Sequence, residues 1–116
     1  MLSIVKSMSL IGLDGYLVSV QVDISSGMPG FEIVGLPDTS IKEAKERVKT
    51  AIRNSGYELQ SRKILVNLAP ADTKKEGSFF DLPIAVGILA SLGEVDKEKI
   101  EKIVFIGELS LDGMEN

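Results

Sequence analysis

The chain has 116 residues, 44% of them hydrophobic, which suffices for one domain with its own core but not for two domains. Cysteine and histidine are both absent, which excludes disulfides and thiolate metal sites and removes the commonest zinc ligand and general base. With 13 basic and 17 acidic residues, the net charge of -4 gives no overall electrostatic case for binding a phosphate backbone.

The sequence indicates neither a secretion signal nor a membrane span. Residues 1–13 carry Lys6 within an alternating pattern, instead of a basic start followed by an apolar run. The longest strongly apolar stretch, Leu82–Leu92, has 11 residues, which suits a buried helix and is too short to cross a membrane. We therefore expect a soluble cytoplasmic domain that makes no contact with a membrane.

The first third of the chain predicts three strands. Two runs, residues 2–11 and 15–24, lie around Leu13-Asp14-Gly15, and the Asp-Gly pair is typical of hairpin turns. The second run alternates apolar and polar residues, which predicts one buried face and one face exposed to solvent. A turn over residues 25–30 then precedes the third predicted strand, Phe31–Val34.

A helix and a fourth strand are predicted next. Asp38 and Thr39 are the candidate N-caps of a helix that continues to about Asn54 and combines an apolar stripe with a charged face. Gly56 fits the position that follows a helix C-terminus. The nearly all-apolar run Lys63–Leu68 predicts an interior strand.

The last part of the chain predicts a buried helix and further short elements. Asp81–Leu92 is apolar on nearly every side, with Asp81 as its expected N-cap and Gly93 as its stop. A short helix over Lys97–Lys102, a fifth strand over Ile103–Gly107 and a hairpin within Leu109–Gly113 follow. This order of strands and helices predicts a two-layer α/β domain.

A polar loop joins the fourth strand to the buried helix. A charged loop that leads into a helix N-terminus is a common place for a functional site. The candidate functional residues are Asp72, Lys74, Lys75, Glu76, Gly77 and Asp81. Asp81 has two interpretations, an N-cap or a functional acid in a charged groove, and capping is favoured because the local pattern alone accounts for it.

Five motifs occur in order along the chain. They read S-x-G-x-P-G-F-x-I-V-G-L-P-D, K-E-A-x-x-R-V-x-x-A-I, I-x-V-N-L-A-P-A-D, K-x-G-x-x-x-D-L-P-I-A and G-E-L-x-L-x-G. They occupy Ser25–Asp38, Lys42–Ile52, Ile64–Asp72, Lys75–Ala85 and Gly107–Gly113. Together they resemble the N-terminal domain of the magnesium-chelatase-like AAA ATPases, a family that includes bacterial competence proteins. The resemblance implies a two-layer α/β sandwich of the ribosomal protein S5 domain 2 type, related to the Lon protease catalytic domain.

The resemblance also implies a role. The chain would be a single domain over residues 1–116, at the N-terminus of a longer ATPase, and it would be accessory and non-catalytic. An AAA module beyond Asn116 would bind ATP and magnesium and form a hexameric ring, and this domain would assist DNA handling or ring assembly in DNA uptake and recombination. No G-x-x-x-x-G-K-[ST] sequence occurs here, so we expect no bound cofactor in this fragment.

Two alternatives of other classes stay open, a peptidase and a direct nucleic-acid-binding module. Lon-type peptidases carry their nucleophilic serine where Asp81-Leu82-Pro83 stands here, and Ser78 lies too early to match. Without a visible base, Ser78 is best interpreted as an ordinary loop serine. Lys74 or Lys75 would serve as a base only if buried, which is unusual in a charged loop. The basic residues within Lys42–Arg53 alternate with glutamates, which favours a solvated helix face over a nucleic-acid surface.

The acidic residues near the loop do not predict a metal site. Asp72, Glu76, Asp81 and Glu108 are of the type that magnesium prefers, but they show no ligand spacing. We interpret them as solvated loop and turn residues and expect no bound metal.

Overall fold

Four strands and three helices form the described part of the computed structural model, which covers residues 2–11, 14–59, 62–70, 75, 80–107 and 109–111. The elements are β1 (Leu2–Ile11), β2 (Asp14–Ser26), β3 (Gly30–Val34), α1 (Asp38–Asn54), β4 (Arg62–Ala69), α2 (Asp81–Ser91) and α3 (Lys97–Ile100). Strands and helices share one domain, so the predicted α/β class is confirmed. No helix in these ranges is long and apolar enough to span a membrane.

The four strands form one mixed sheet in the order β1-β2-β4-β3. β1 and β2 form the predicted antiparallel hairpin, with Leu2 opposite Asp23 at its far end. The predicted turn position is wrong, because Asp14 and Gly15 are the first residues of β2 and pair with Ile11 and Leu10. β4 pairs with β2 in the antiparallel direction and with β3 in the parallel direction. Parallel neighbours need a crossover connection, and α1 provides it between β3 and β4.

α1 and α2 cover one face of the sheet, and the core lies between the two layers. The strict alternation of β2 directs its valines and Ile24 into this core, as predicted. α2 lies very close to the sheet, because a Cβ placed on Gly87 would fall 2.5 Å from Val22 Cγ2. Ser3 Oγ of β1 donates a hydrogen bond to the Gly87 carbonyl at 2.6 Å and lies 2.8 Å from Ser91 Oγ. These contacts fix α2 against β1 and β2.

The C-termini of the helices match the sequence-based predictions better than their N-termini do. Gly93 has a φ of +83°, and the amides of Gly93 and Glu94 donate to the carbonyls of Ala90 and Leu89. This is a Schellman motif, so the predicted stop of α2 is confirmed. Gly56, with a φ of +96°, ends α1 in the same way.

The predicted N-caps of α1 are wrong. Asp38 is the first helical residue, and the N-cap is Pro37, which forms no side-chain capping bond. The carbonyl of Pro37 accepts hydrogen bonds from Ser40 and Ile41, at 2.9 and 3.2 Å. The restricted backbone of proline is suited to this position at the start of α1.

The short helix after α2 exists but ends earlier than predicted, at Ile100, and Asp96 caps it by accepting a hydrogen bond from the Glu98 amide. The fifth strand predicted over Ile103–Gly107 is reduced to one parallel bridge between Val104 and Lys6. Beside this bridge the Phe105 amide donates to the Lys6 carbonyl at 2.9 Å, and further along the Gly107 carbonyl accepts a hydrogen bond from the Leu82 amide of α2. Of the predicted Leu109–Gly113 hairpin, the residues beyond Leu111 lie outside the described ranges.

Candidate functional site

The start of α2 brings together three segments that are distant in sequence. Asp81 is the first residue of α2, and only 1% of its surface is exposed. Arg47 reaches it from α1, and Leu109 reaches it from the segment that follows the Val104 bridge. An otherwise apolar helix thus begins with a buried carboxylate.

Arg47 binds this carboxylate through two hydrogen bonds. Its Nε donates to Asp81 Oδ2 at 2.6 Å, and its Nη2 donates to Oδ1 at 3.3 Å. The two-pronged geometry matches a guanidinium to a carboxylate, which is the strongest form of protein ion pair. The Leu109 amide donates to Oδ2 at 3.3 Å, so both carboxylate oxygens accept hydrogen bonds.

The ion pair between Arg47 and Asp81 is mostly buried. The Arg47 side chain is 23% exposed, and its Nη1 also lies 3.8 Å from Glu43, one helical turn earlier and largely in solvent. The Glu43 contact contributes little because water screens it. The contact with Asp81 contributes more, since removing either partner would leave the other charge with much less compensation.

The N-cap interpretation of Asp81 is therefore wrong. The N-cap of α2 is Phe80, which has no side-chain capping bond, and the Asp81 carboxylate accepts hydrogen bonds from Arg47 and from the Leu109 amide. One of the helix amides, that of Leu82, donates to the Gly107 carbonyl at 2.9 Å. A backbone carbonyl from the C-terminal segment thus takes the place expected for a side-chain cap.

Arg47 is the functional-site residue that the sequence interpretation missed, because it was grouped with the solvated charges of α1. A signal was present in its helical position. Arg47 follows Ala44 by three residues and precedes Ala51 by four, and both alanines belong to the buried stripe. A charged residue in phase with an apolar stripe indicates a buried partner elsewhere in the fold.

Lys75 is the other described residue of the candidate loop, and it is 3% exposed. The expectation that charged residues of this loop are solvated is therefore wrong for Lys75. The remaining candidates, Asp72, Lys74, Glu76 and Gly77, lie outside the described residues. Ser78 and Glu108 lie outside them as well.

The described geometry does not assemble a metal centre. Within the described ranges, no group of three or more acidic side chains is placed to hold an ion. Asp81 faces a guanidinium and a backbone amide, which satisfy a carboxylate without a metal. In this arrangement the carboxylate joins α1, α2 and the C-terminal segment.

Comparison with known proteins gives a consistent group of relatives. The family model for subunit ChlI of Mg-chelatase matches residues 20–115. The chain is 47% identical over 112 residues to the uncharacterized protein YifB of Escherichia coli, and 46% identical over 112 residues to the competence protein ComM of Haemophilus influenzae. Each match covers 97% of this chain and 22% of the relative. An uncharacterized protein of Mycobacterium tuberculosis is 38% identical over 107 residues, which are 92% of this chain and 21% of that protein.

Proposed function

Since the chain belongs to the family of the ChlI subunit of Mg-chelatase, we propose that it is a non-catalytic accessory domain at the N-terminus of a magnesium-chelatase-like AAA ATPase. ATP and magnesium would bind to an ATPase module outside residues 1–116, which contain no Walker A sequence. The chain spans 22% of the length of the E. coli relative, which leaves ample sequence for such a module. The name of the H. influenzae relative, a competence protein, motivates a role in DNA handling or ring assembly.

The buried Asp81–Arg47 pair carries the non-catalytic part of this proposal. It stands where the resemblance to Lon-type peptidases would place the nucleophile, at the start of α2. A carboxylate that accepts hydrogen bonds from a guanidinium and an amide, and that is 1% exposed, is suited to fixing the fold. The succession of three strands, α1, β4 and α2 supports the finer proposal of an S5 domain 2-like sandwich.

The uncovered face of the sheet supports an accessory role. This open face, opposite the helices, carries exposed apolar side chains next to polar ones; they include Leu2, Ile4, Leu17, Val34 and Leu65. Gln21 and Asn67 join in its centre through a 3.1 Å hydrogen bond. A sheet face of this composition is typical of a surface that another protein layer covers. We assign the ATPase module of the same polypeptide as that layer.

Nucleotide binding tests whether ATP binds to the ATPase module and not to this chain. Calorimetry of the isolated chain with ATP and Mg²⁺ is expected to show no binding, because no phosphate loop is present. A chimera in which this chain replaces the matching region of the E. coli relative is expected to bind the nucleotide. Binding of ATP by the isolated chain with a micromolar dissociation constant would contradict the proposal.

One observation favours a second candidate, the Ser-nucleophile peptidase. Lys75 is buried and only three positions before Ser78, so the two residue types of a Ser–Lys peptidase lie close together in the sequence. A fluorophosphonate probe separates the two functions. The accessory role requires that the probe leave Ser78 unlabelled, whereas a peptidase would be labelled in a way that Ser78→Ala abolishes.

A further inference from the structure

Two shallow hollows lie side by side where the last turns of α1 face the first residues of β3 and β4. One hollow, of about 280 Å³, is lined by Lys49, Arg53, Tyr57 and their neighbours. The other, of about 270 Å³, is lined by residues that include Phe31 and Arg62. Lys49 and Leu59 line both, so the two form one continuous depression. We call this depression the basic groove and define it by Phe31, Lys49, Arg53, Tyr57, Leu59 and Arg62.

The basic groove has a charge opposite to that of the whole chain. Its described lining carries three cations, Lys49, Arg53 and Arg62, and one carboxylate, Glu58, which gives a net charge of +2. The chain as a whole has a net charge of -4. A local concentration of positive charge in a concave surface attracts anions even when the net charge of the protein is negative.

The three cations are available to a ligand. Lys49 and Arg53 are four residues apart on α1 and extend from the same side of the helix. Arg62 begins β4 on the opposite wall. All three are exposed, and no carboxylate of the described residues forms an ion pair with them, whereas Arg47 in the same helix is paired with Asp81.

The groove also contains two of the six aromatic side chains of the protein. Tyr57 and Phe31 are half-buried and pack against the core, so the fold holds their rings in place. Their remaining surfaces line the groove beside the cations. Fixed aromatic rings next to lysine and arginine are the combination on which unpaired bases stack while their phosphates are neutralised.

From these observations we propose that the basic groove binds single-stranded nucleic acid. Lys49, Arg53 and Arg62 would contact phosphates, and Tyr57 and Phe31 would stack with bases. An acidic peptide would use the cations but gain little from the rings, and duplex DNA keeps its bases stacked inside the helix. The inference does not depend on the ATPase module or the open face, because this chain alone contains every residue involved.

Fluorescence anisotropy with a labelled oligothymidylate of about 16 nucleotides tests the proposal on the chain itself. The wild type is expected to bind at low salt, with an affinity that falls steeply as salt rises. Lys49→Gln with Arg53→Gln is expected to reduce the slope of log affinity against log salt by about 1.4, at about 0.7 per lost phosphate contact. Tyr57→Leu keeps apolar packing and is expected to weaken binding at least about fivefold.

The control is Lys99→Gln with Lys102→Gln, which changes the net charge equally at exposed positions outside the groove. It is expected to leave the affinity and the salt slope unchanged, and circular dichroism verifies that every variant is folded. The proposal is overturned if the wild type does not bind, or if the groove variants bind like the control. It is also overturned if duplex DNA or polyglutamate binds as tightly and Tyr57→Leu has no effect, because the surface would then recognise charge alone.

Discussion

Asp81 and Arg47 are 34 residues apart in the chain, and their contact joins α1 to the buried start of α2. The pair determines what a mutation at the start of α2 does. An asparagine could replace a capping aspartate with little effect, because it keeps a capping oxygen. It cannot replace the charge that balances a half-buried guanidinium.

Asp81→Asn is therefore expected to lower the free energy of unfolding by about 2 kcal/mol, and Asp81→Ala by about 3 kcal/mol. Arg47→Met keeps the length of the side chain and is expected to cost about 3 kcal/mol, because it leaves the buried carboxylate without its cation. Urea melts measure these changes through the midpoint at constant slope. A melt of Asp81→Asn that coincides with the wild type would show that the pair contributes no stability.

Two serines on the core face of β1 form a matched test of buried hydroxyl groups. Ser3 Oγ bonds to the Gly87 carbonyl, whereas the buried Ser7 Oγ has no hydrogen-bond partner in the described part of the chain. Ser3→Ala is expected to cost about 1 kcal/mol, and Ser7→Ala is expected to be neutral or to stabilise by up to about 1 kcal/mol. Thermal melts of the two variants measure these changes in stability. An equal loss of stability in both variants would contradict the prediction.

At the scale of elements, the position of α2 depends on Gly87. Alanine normally favours a helix over glycine by about 1 kcal/mol. Here the added Cβ would lie 2.5 Å from Val22 Cγ2 and 3.4 Å from Val5 Cγ2, so either the buried Val22 side chain or the helix would have to shift. The expected net result is a loss of about 1–3 kcal/mol, because overpacking outweighs propensity.

Gly30→Ala is the control for this prediction, since no heavy atom lies within 4 Å of the Cβ it would add. Its denaturant midpoint is expected to stay close to that of the wild type. If Gly87→Ala were as stable as Gly30→Ala, the close contact between α2 and the sheet would not constrain the fold.

At the scale of the whole molecule, the sequence predicts those features of the fold that depend on patterns of neighbouring residues. Alternation along β2, the apolar stripe of α1 and the glycines after α1 and α2 each describe a few neighbouring residues, and the structure confirms them. The order of the sheet and the contact of Arg47 with Asp81 join distant segments, so no local pattern contains them. The predicted fifth strand is reduced to the bridge between Val104 and Lys6, and the extent of that pairing also depends on contacts between distant segments.

The candidate site shows the same limit. Its acidic and basic residues could be named from the sequence, but the burial of Lys75 and Asp81 depends on how the layers close around them. Charge composition alone predicted solvated side chains at both ends of the loop. The three-dimensional arrangement buries Asp81 against Arg47, and the open face and the basic groove are the exposed surfaces through which we propose that an accessory domain acts.

The central claim, an accessory domain covered on its open face by an ATPase module, has a direct test because the chain contains no cysteine. Leu65→Cys places one thiol on the open face, and Lys99→Cys places one on exposed α3. Maleimide labelling, followed at the modified peptide by mass spectrometry, compares the isolated chain with the chimera built on the E. coli relative. If an ATPase module covers the open face, the thiol of Leu65→Cys reacts at least about tenfold more slowly in the chimera, while that of Lys99→Cys reacts equally in both. Equal labelling of Leu65→Cys in the two proteins would contradict it.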